Sequence, residues 1–322
     1  MGPSPVARTA SPPAAFGAPP PVGAGHAQSP RGSPGGLTVL GLRLLSSVVV
    51  VLLVLATLFW FPLWVYPLVI LGFVTTALYE FFTMVRHRGI LVHRGLSIAL
   101  GVVFTCLVAW RSLVEPGLVP TPVLGPGATA ISWMWDIFWP ATIVIIFIRQ
   151  FLRENTFEAL GGLATTLFGL AYIAALFSYF FYIRTIDAKQ GPWLVLFLIL
   201  VTKLGDVGAY ATGNLIGKHT LISRISPRKT VEGFVGAVVV SGITAVIAAP
   251  LLGRPIGHGF SLALGVFLGV AGQLGDLAES LLKRDCQVKD AGVLMPGLGG
   301  VLDVIDSLLF TAPLFYGILI YG

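Results

Sequence analysis

From residue 42 onward the chain alternates between long apolar runs and short polar breaks. A membrane-crossing helix needs about 20 predominantly apolar residues. Nine runs approach or exceed that length: 42–60, 63–84, 92–114, 132–151, 160–183, 192–213, 232–252, 259–282 and 300–321. Lipid offers the backbone no hydrogen-bond partners, so each run is predicted to be a helix and the fold an all-α, polytopic membrane protein. The first two runs are parted by Phe61-Pro62. Proline inside a helix removes a hydrogen bond and clashes with the preceding turn. Two spans joined by a tight reversal are therefore expected there, with one kinked helix as the alternative. No repeat at 20–50-residue spacing is visible.

Residues 1–38 lack this pattern. They are dense in Pro, Gly, Ala and Ser, and cannot bury enough apolar surface to offset their chain entropy. A disordered, cytoplasmic tail is expected, passive in function, with a Pro-rich partner motif as the alternative. No charged start leads into an apolar core within it, so it is not read as a signal peptide. The remainder divides into N-terminal membrane helices, 39–190, and a C-terminal membrane region, 191–322, that carries the chemistry.

Composition sharpens the picture. Of 322 residues, 56% are hydrophobic and 11% charged, against about 25% charged in an average soluble domain. So few charges cannot coat a soluble surface, which excludes an ordinary soluble enzyme. No basic patch large enough for nucleic acid exists outside short loops, so no nucleic-acid partner is expected. Two cysteines, Cys106 and Cys286, exclude a disulfide framework.

Lysine and arginine in the loops give an orientation, because cytoplasmic loops are enriched in them. The N-terminal arm and the loops 85–94, 149–159, 214–231 and 283–299 hold fifteen; the opposite set holds four, Arg111, Arg184, Lys189 and Arg254. This alternation fits about nine spans with the N-terminus in the cytoplasm.

The acids that matter gather in the last third. Lys203 and Asp206 share a helix face, either as an internal ion pair or with Asp206 facing a polar cavity. Asp276, Glu279, Ser280 and Lys283 form one stripe of the next-to-last span. Asp276 follows seventeen mostly apolar residues, so its stripe is expected to face a polar interior. Pro296, Gly297, Gly299 and Gly300 then form a turn into the last span, where Asp303 and Asp306 lie three apart. Carboxylates favour a helix N-terminus, which explains those two without chemistry but not the deeper Asp276. Together Asp276, Asp303 and Asp306 are a hard, all-oxygen set suited to Mg²⁺ rather than Zn²⁺. Backbone N–H groups of Gly299 and Gly300 suit phosphate oxygens. A second loop, 217–233, carries Lys218, His219, Arg224, Ser226, Arg228, Lys229 and Thr230. It reads as a triphosphate cradle or as an anchor on anionic headgroups.

At these residues the sequence resembles the phosphatidate cytidylyltransferases, the CDP-diacylglycerol synthases. SLLKRDCQVKDAGVLMPGLGGVLDVIDS (280–307) is similar to that family's long signature, ISPRKTVEG (225–233) resembles its second motif, and Asp206, Gly208, Ala209 and Tyr210 resemble a third. Three positions depart from the pattern: Leu298 stands where the family usually has His, Val304 where it has Arg, and Val207 where it has Ser or Thr. The resemblance implies that CTP and phosphatidate react to CDP-diacylglycerol and pyrophosphate in phospholipid biosynthesis. It implies metal ligation by Asp276, Asp303 and Asp306, with Mg²⁺ and a second, monovalent cation. Catalytic roles fall to Lys283, Arg284, Lys289 and Asp290; Lys218, Ser226, Lys229, Thr230, Gly299 and Gly300 are assigned to nucleotide and phosphate. The expected partners are CTP, phosphatidate and membrane lipids, with a homodimer left open. The expected location is the cell (inner) membrane with the active site facing the cytoplasm. A CTP-dependent lipid kinase, a cytidylyltransferase for another lipid phosphate, and a secondary transporter stay open. Concentration of the charge in one third of the chain, rather than in paired halves, speaks against the transporter.

Overall fold

The structure, a computed structural model, describes residues 36–114, 133–152, 159–253, 256–292, 294–295 and 299–321. Most of the expected tail, Arg153, Arg254, and Pro296, Gly297 and Leu298 of the glycine turn lie outside the described residues. The chain forms α1 (Gly36–Phe59), α2 (Val65–His87), α3 (Arg94–Val114), α4 (Trp133–Phe151), α5 (Ala159–Gly169), a π turn (Leu170–Ala175), α6 (Tyr179–Thr185) and α7 (Gly191–Ile216). A two-stranded hairpin follows, β1 (Thr220–Ile222) and β2 (Ser226–Thr230), then α8 (Val231–Ala248), α9 (His258–Asp285) and α10 (Val301–Tyr321).

Among the described residues, seven helical segments are long and apolar enough to cross a membrane. They are α2, α3, the run Ala159–Thr185 through the π turn, α7, Val231–Leu252, α9 and α10. Two further apolar stretches, Leu45–Phe59 and Ile137–Phe151, are shorter. The first apolar region is two helices, not one kinked helix: α1 ends at Phe59 and α2 begins at Val65, on either side of Pro62. Residues 36–38, expected in the tail, belong to α1. The hairpin and an isolated bridge between Met295 and Gly299 depart from an all-helical chain, and the hairpin's strands pair antiparallel with Thr220 opposite Thr230.

The helices of the last third pack in sequence, α7 on α8, α8 on α9 and α9 on α10. Lipid-solvated helices associate through close van der Waals contact, so small residues line such seams. A methyl group on Gly265 would stand 2.5 Å from both the Ala245 Cβ and the Ser241 carbonyl oxygen. The Ser241 hydroxyl crosses the α7–α8 seam and donates to the Val201 carbonyl, 3.0 Å away. The buried core includes the aromatics Phe81, Phe82, Phe181, Phe197 and Phe315, all essentially inaccessible. Phe197 of α7 stacks on Phe315 of α10 at 5.5 Å.

Loop chemistry fixes the helix starts. Thr230 caps α8, its hydroxyl accepting the Gly233 N–H at 3.1 Å, a contact worth about 1 kcal/mol. Asp187 accepts the Gln190 and Lys189 N–H groups at 2.7 and 2.8 Å just before α7. Those two N–H groups hold its carboxyl below the usual range.

Candidate functional site

Three helices and the hairpin bring the polar side chains together. Gly275 of α9 lies against the backbone of α10, where a methyl group would stand 2.6 Å from the Asp306 carbonyl oxygen. That closeness sets Asp276 beside Asp306. With Glu279, one turn further along α9, they form a cluster in which one carboxylate oxygen from each lies within 4.8 Å of the others. Glu279 and Asp306 are buried, and Asp276 is half-buried. Like charges at that separation repel by roughly 3–4 kcal/mol per pair at an effective dielectric near 20. Among the described residues Glu279 Oε1 has no hydrogen-bond partner, and Oε2 is paired with the Lys283 ammonium. A set of hard oxygens with capacity to spare fits a divalent cation.

Cations surround the cluster. Lys229, from β2, places its ammonium 2.7 Å from an Asp276 oxygen. Lys283 pairs with Glu279 one turn away on α9, and reaches Asp303 of α10 at 2.6 Å. On α7, Lys203 lies 3.0 Å from Asp206 and donates to the Ser307 hydroxyl at 2.7 Å. Asp206 also accepts from Ser307 at 3.0 Å and from the Gln273 amide at 3.2 Å. The Lys203–Asp206 pair is thus the internal ion pair, and it is stitched to α9 and α10. Tyr172, in the π turn, is buried with a hydroxyl that has no hydrogen-bond partner among the described residues. Its ring packs edge-on against Phe310, one turn beyond Asp306.

The structure sorts the expected site residues. Asp276 and Asp306 meet in the cluster. Asp303 instead faces Lys283 and accepts the Ala291 and Gly300 N–H groups at 3.1 and 2.7 Å. The glycine turn's N–H groups are engaged internally, Gly299 to the Met295 carbonyl at 3.1 Å and Gly300 to Asp303. Gly299 takes φ +96°, a left-handed conformation that favours glycine. Arg284 donates to the Ile225 carbonyl at 3.1 Å, so the end of α9 holds the hairpin. Thr230 serves as the cap of α8. Ser226 is half-buried in β2, while Lys218, Lys289 and Asp290 are exposed on the loops. The Lys218 and His219 backbone N–H groups both donate to Glu232, which pins the start of the 217–233 loop. Val207 is turned outward, away from the cluster.

Two carboxylates were not expected in these places. Glu279 was visible in the charged stripe of α9, but its membership of the cluster depends on α10. Glu80 of α2 is buried and accepts the first N–H groups of α10. Its signal was a lone acid in an otherwise apolar span, a costly choice without function.

A bundle of apolar helices around a buried carboxylate and lysine site defines the class, a multi-pass membrane protein with a charged interior. The profile of the Cytidylyltransferase family matches residues 41–321, and the chain belongs to that family. It is 38% identical over 192 residues to a phosphatidate cytidylyltransferase of Bacillus subtilis (strain 168), covering 60% of this chain and 70% of that protein. Longer alignments reach the same named protein in Staphylococcus haemolyticus, 33% identical over 72% of this chain and 93% of the relative. In a Synechocystis strain the identity is 32%, over 79% of this chain and 87% of the relative.

Proposed function

We propose that the chain is a phosphatidate cytidylyltransferase, making CDP-diacylglycerol and pyrophosphate from CTP and phosphatidate. The observation that carries this reading is the convergence of Asp276, Glu279 and Asp306 within 4.8 Å, flanked by Lys229 and Lys283. The names borne by the curated relatives agree with it.

Asp276 and Asp306, with Glu279 between them, would hold a divalent cation, Mg²⁺, and Asp303 would orient Lys283 beside them. A second, monovalent cation belongs to the same reading. Bound there, the divalent ion supplies charge neutralisation for phosphate oxygens and polarises the reacting phosphorus. The phosphatidate phosphate oxygen attacks the α-phosphorus of CTP. The bond between the α-phosphorus and its bridging oxygen breaks, and pyrophosphate leaves with the electron pair. The nucleophile is already anionic near neutral pH, so the chain's task is positioning and charge stabilisation. Lys229 and Lys283 stand where they can exchange carboxylate partners for phosphate. Arg284, at the end of α9, and Lys289, in the loop after it, are assigned to the phosphate groups in the same reading.

Sidedness follows from the substrate. CTP is a multiply charged cytosolic molecule, so the hairpin and the 283–299 loop face the cytoplasm, in the cell (inner) membrane. Nine spans with a cytoplasmic N-terminus satisfy the loop charge count. Membranes carrying the chain, given CTP labelled in the α-phosphate and phosphatidate, should form labelled CDP-lipid and unlabelled pyrophosphate. Release of CDP with transfer of the γ-phosphate would instead mark a lipid kinase and refute the reading.

A further inference from the structure

We infer that Glu80, in the N-terminal half of the chain, is a positioning residue for the catalytic turn. It holds the first turn of α10, and with it Asp303 and Asp306, in register against α9. The consequence for turnover rests on the proposed function; the structural part does not.

Glu80 sits near the end of α2 and is 3% exposed, flanked by Phe81 and Phe82. An acid there is costly unless its oxygens are used. Both are used on one target. One oxygen accepts the Val301 N–H at 3.0 Å and the other accepts the Leu302 N–H at 2.8 Å. These are the first two N–H groups of α10, which have no partner within the helix and lie at the positive end of its dipole. A side chain more than 200 positions away in the sequence thus caps the first two N–H groups of this helix, while the local Asp303 takes the Gly300 N–H just before them.

The turn is moulded around that carboxylate. A methyl group on Gly292 would collide with Glu80, whose side chain supplies the three atoms nearest to it. On Gly300 it would come within 2.5 Å of a Glu80 oxygen and 2.8 Å of the Gly292 nitrogen. Neither glycine has a positive φ, unlike Gly299 between them. Glycine at 292 is therefore explained by the nearness of Glu80 rather than by its own backbone conformation. Immediately beyond the capped turn, Asp303 takes N–H groups from Ala291 and Gly300 and the ammonium of Lys283. Asp306 lies one turn further along the same helix. A shift of the first turn moves both, and misplacement of a reacting group by about 1 Å can cost about a hundredfold in rate.

The test uses the purified full-length chain in lipid nanodiscs as wild type, Glu80→Gln, Glu80→Ala, Gly292→Ala and the Glu80→Ala/Gly292→Ala double variant. Amide exchange of the segment containing Val301 and Leu302 is followed by mass spectrometry without substrate, and turnover is measured per folded molecule. Glu80→Gln keeps the shape but turns an amide N–H toward a backbone N–H. It should speed exchange at Val301 and Leu302 and leave the α7–α8 segments unchanged. Turnover should fall roughly ten- to hundredfold, the range seen when a group orienting a site is lost, with the loss in kcat rather than in KM for CTP. Gly292→Ala should cost activity and amide protection in the wild-type background and add little on Glu80→Ala, where the three atoms it meets first are gone. Unchanged exchange in Glu80→Gln overturns the inference. So does normal turnover beside faster exchange, because the role would then be one of stability alone. Equal cost of Gly292→Ala in both backgrounds also overturns it. A wild type that forms no CDP-lipid overturns the functional reading, and the exchange arm still decides the case for Glu80.

Discussion

The ammonium of Lys229, on the hairpin between α7 and α8, lies 2.7 Å from a carboxylate oxygen of Asp276, well inside α9. This ion pair closes the hairpin over the acidic cluster, and Arg284 fastens the hairpin a second time through the Ile225 carbonyl. The lysine that neutralises Asp276 in this state is free to turn to a phosphate when one arrives. Lys229→Gln should therefore weaken CTP more than it weakens the fold. A fall of about ten- to hundredfold in kcat/KM for CTP is expected, the loss of one charge-assisted contact of about 1.5–3 kcal/mol. Steady-state kinetics beside a thermal melt would separate the two.

Asp276→Asn and Asp306→Asn each remove one member of the carboxylate cluster. Turnover should drop by orders of magnitude while the protein still inserts and purifies. Chelation of divalent ions should abolish activity in the wild type, and added Mg²⁺ should restore it. Near-normal rates in either variant at saturating Mg²⁺ would remove the cluster from the mechanism.

Lys283 is held between Glu279 and Asp303 at 13% side-chain exposure. Lys283→Met leaves both acids buried without their cation, and breaking a buried pair from one side costs about 3–5 kcal/mol. The variant should melt well below wild type as well as lose turnover. A melting temperature equal to wild type would mean that Lys283 serves substrate alone.

Tyr172→Phe deletes a buried hydroxyl that has no partner among the described residues. No internal hydrogen bond is lost, so stability should hold or rise slightly. If the hydroxyl meets substrate, kcat/KM should fall by about three- to tenfold, the net worth of one neutral hydrogen bond. Unchanged kinetics would assign the π turn to packing.

Sidedness can be read with thiols. Ser223 in the hairpin and Ala188 between α6 and α7 are both exposed and small enough for cysteine. Cys106 is replaced first. Cys286 is replaced as well, although burial already pushes its thiol above the ordinary range. An impermeant reagent on intact cells should label position 188 and spare 223 until the membrane is opened. Labelling at 223 in intact cells would contradict a cytosolic CTP site.

Much of the architecture was legible because lipid imposes a simple rule on the sequence: every spanning segment must be apolar and helical. Pro62 announced the break between α1 and α2 for the same reason. Asp276 stood out because it interrupts such a segment. What stayed hidden depends on contacts between distant segments. Glu279 joins the cluster only because Gly275 lets α10 approach, and Asp303 turns to Lys283 because the 291–300 turn delivers two N–H groups to it. The expectation that Gly299 and Gly300 offer free N–H groups took no account of these internal acceptors. Glu80 was passed over since its partner is the backbone of α10, and backbone donors leave no mark in a sequence.

The seams that join α7, α8, α9 and α10 have a further meaning for anyone reading variation in this protein. Gly205 faces Ser241, Gly265 faces Ala245 and Gly275 faces the Asp306 carbonyl, each without room for one more carbon. Substitutions at those glycines would eliminate activity as surely as changes at the acids, but by lowering the amount that folds. A mutational scan scored by growth alone would paint both groups the same colour. Scored by abundance as well, it would split them into a line of depleted glycines along the helices and a compact knot of acids present in full yet inactive.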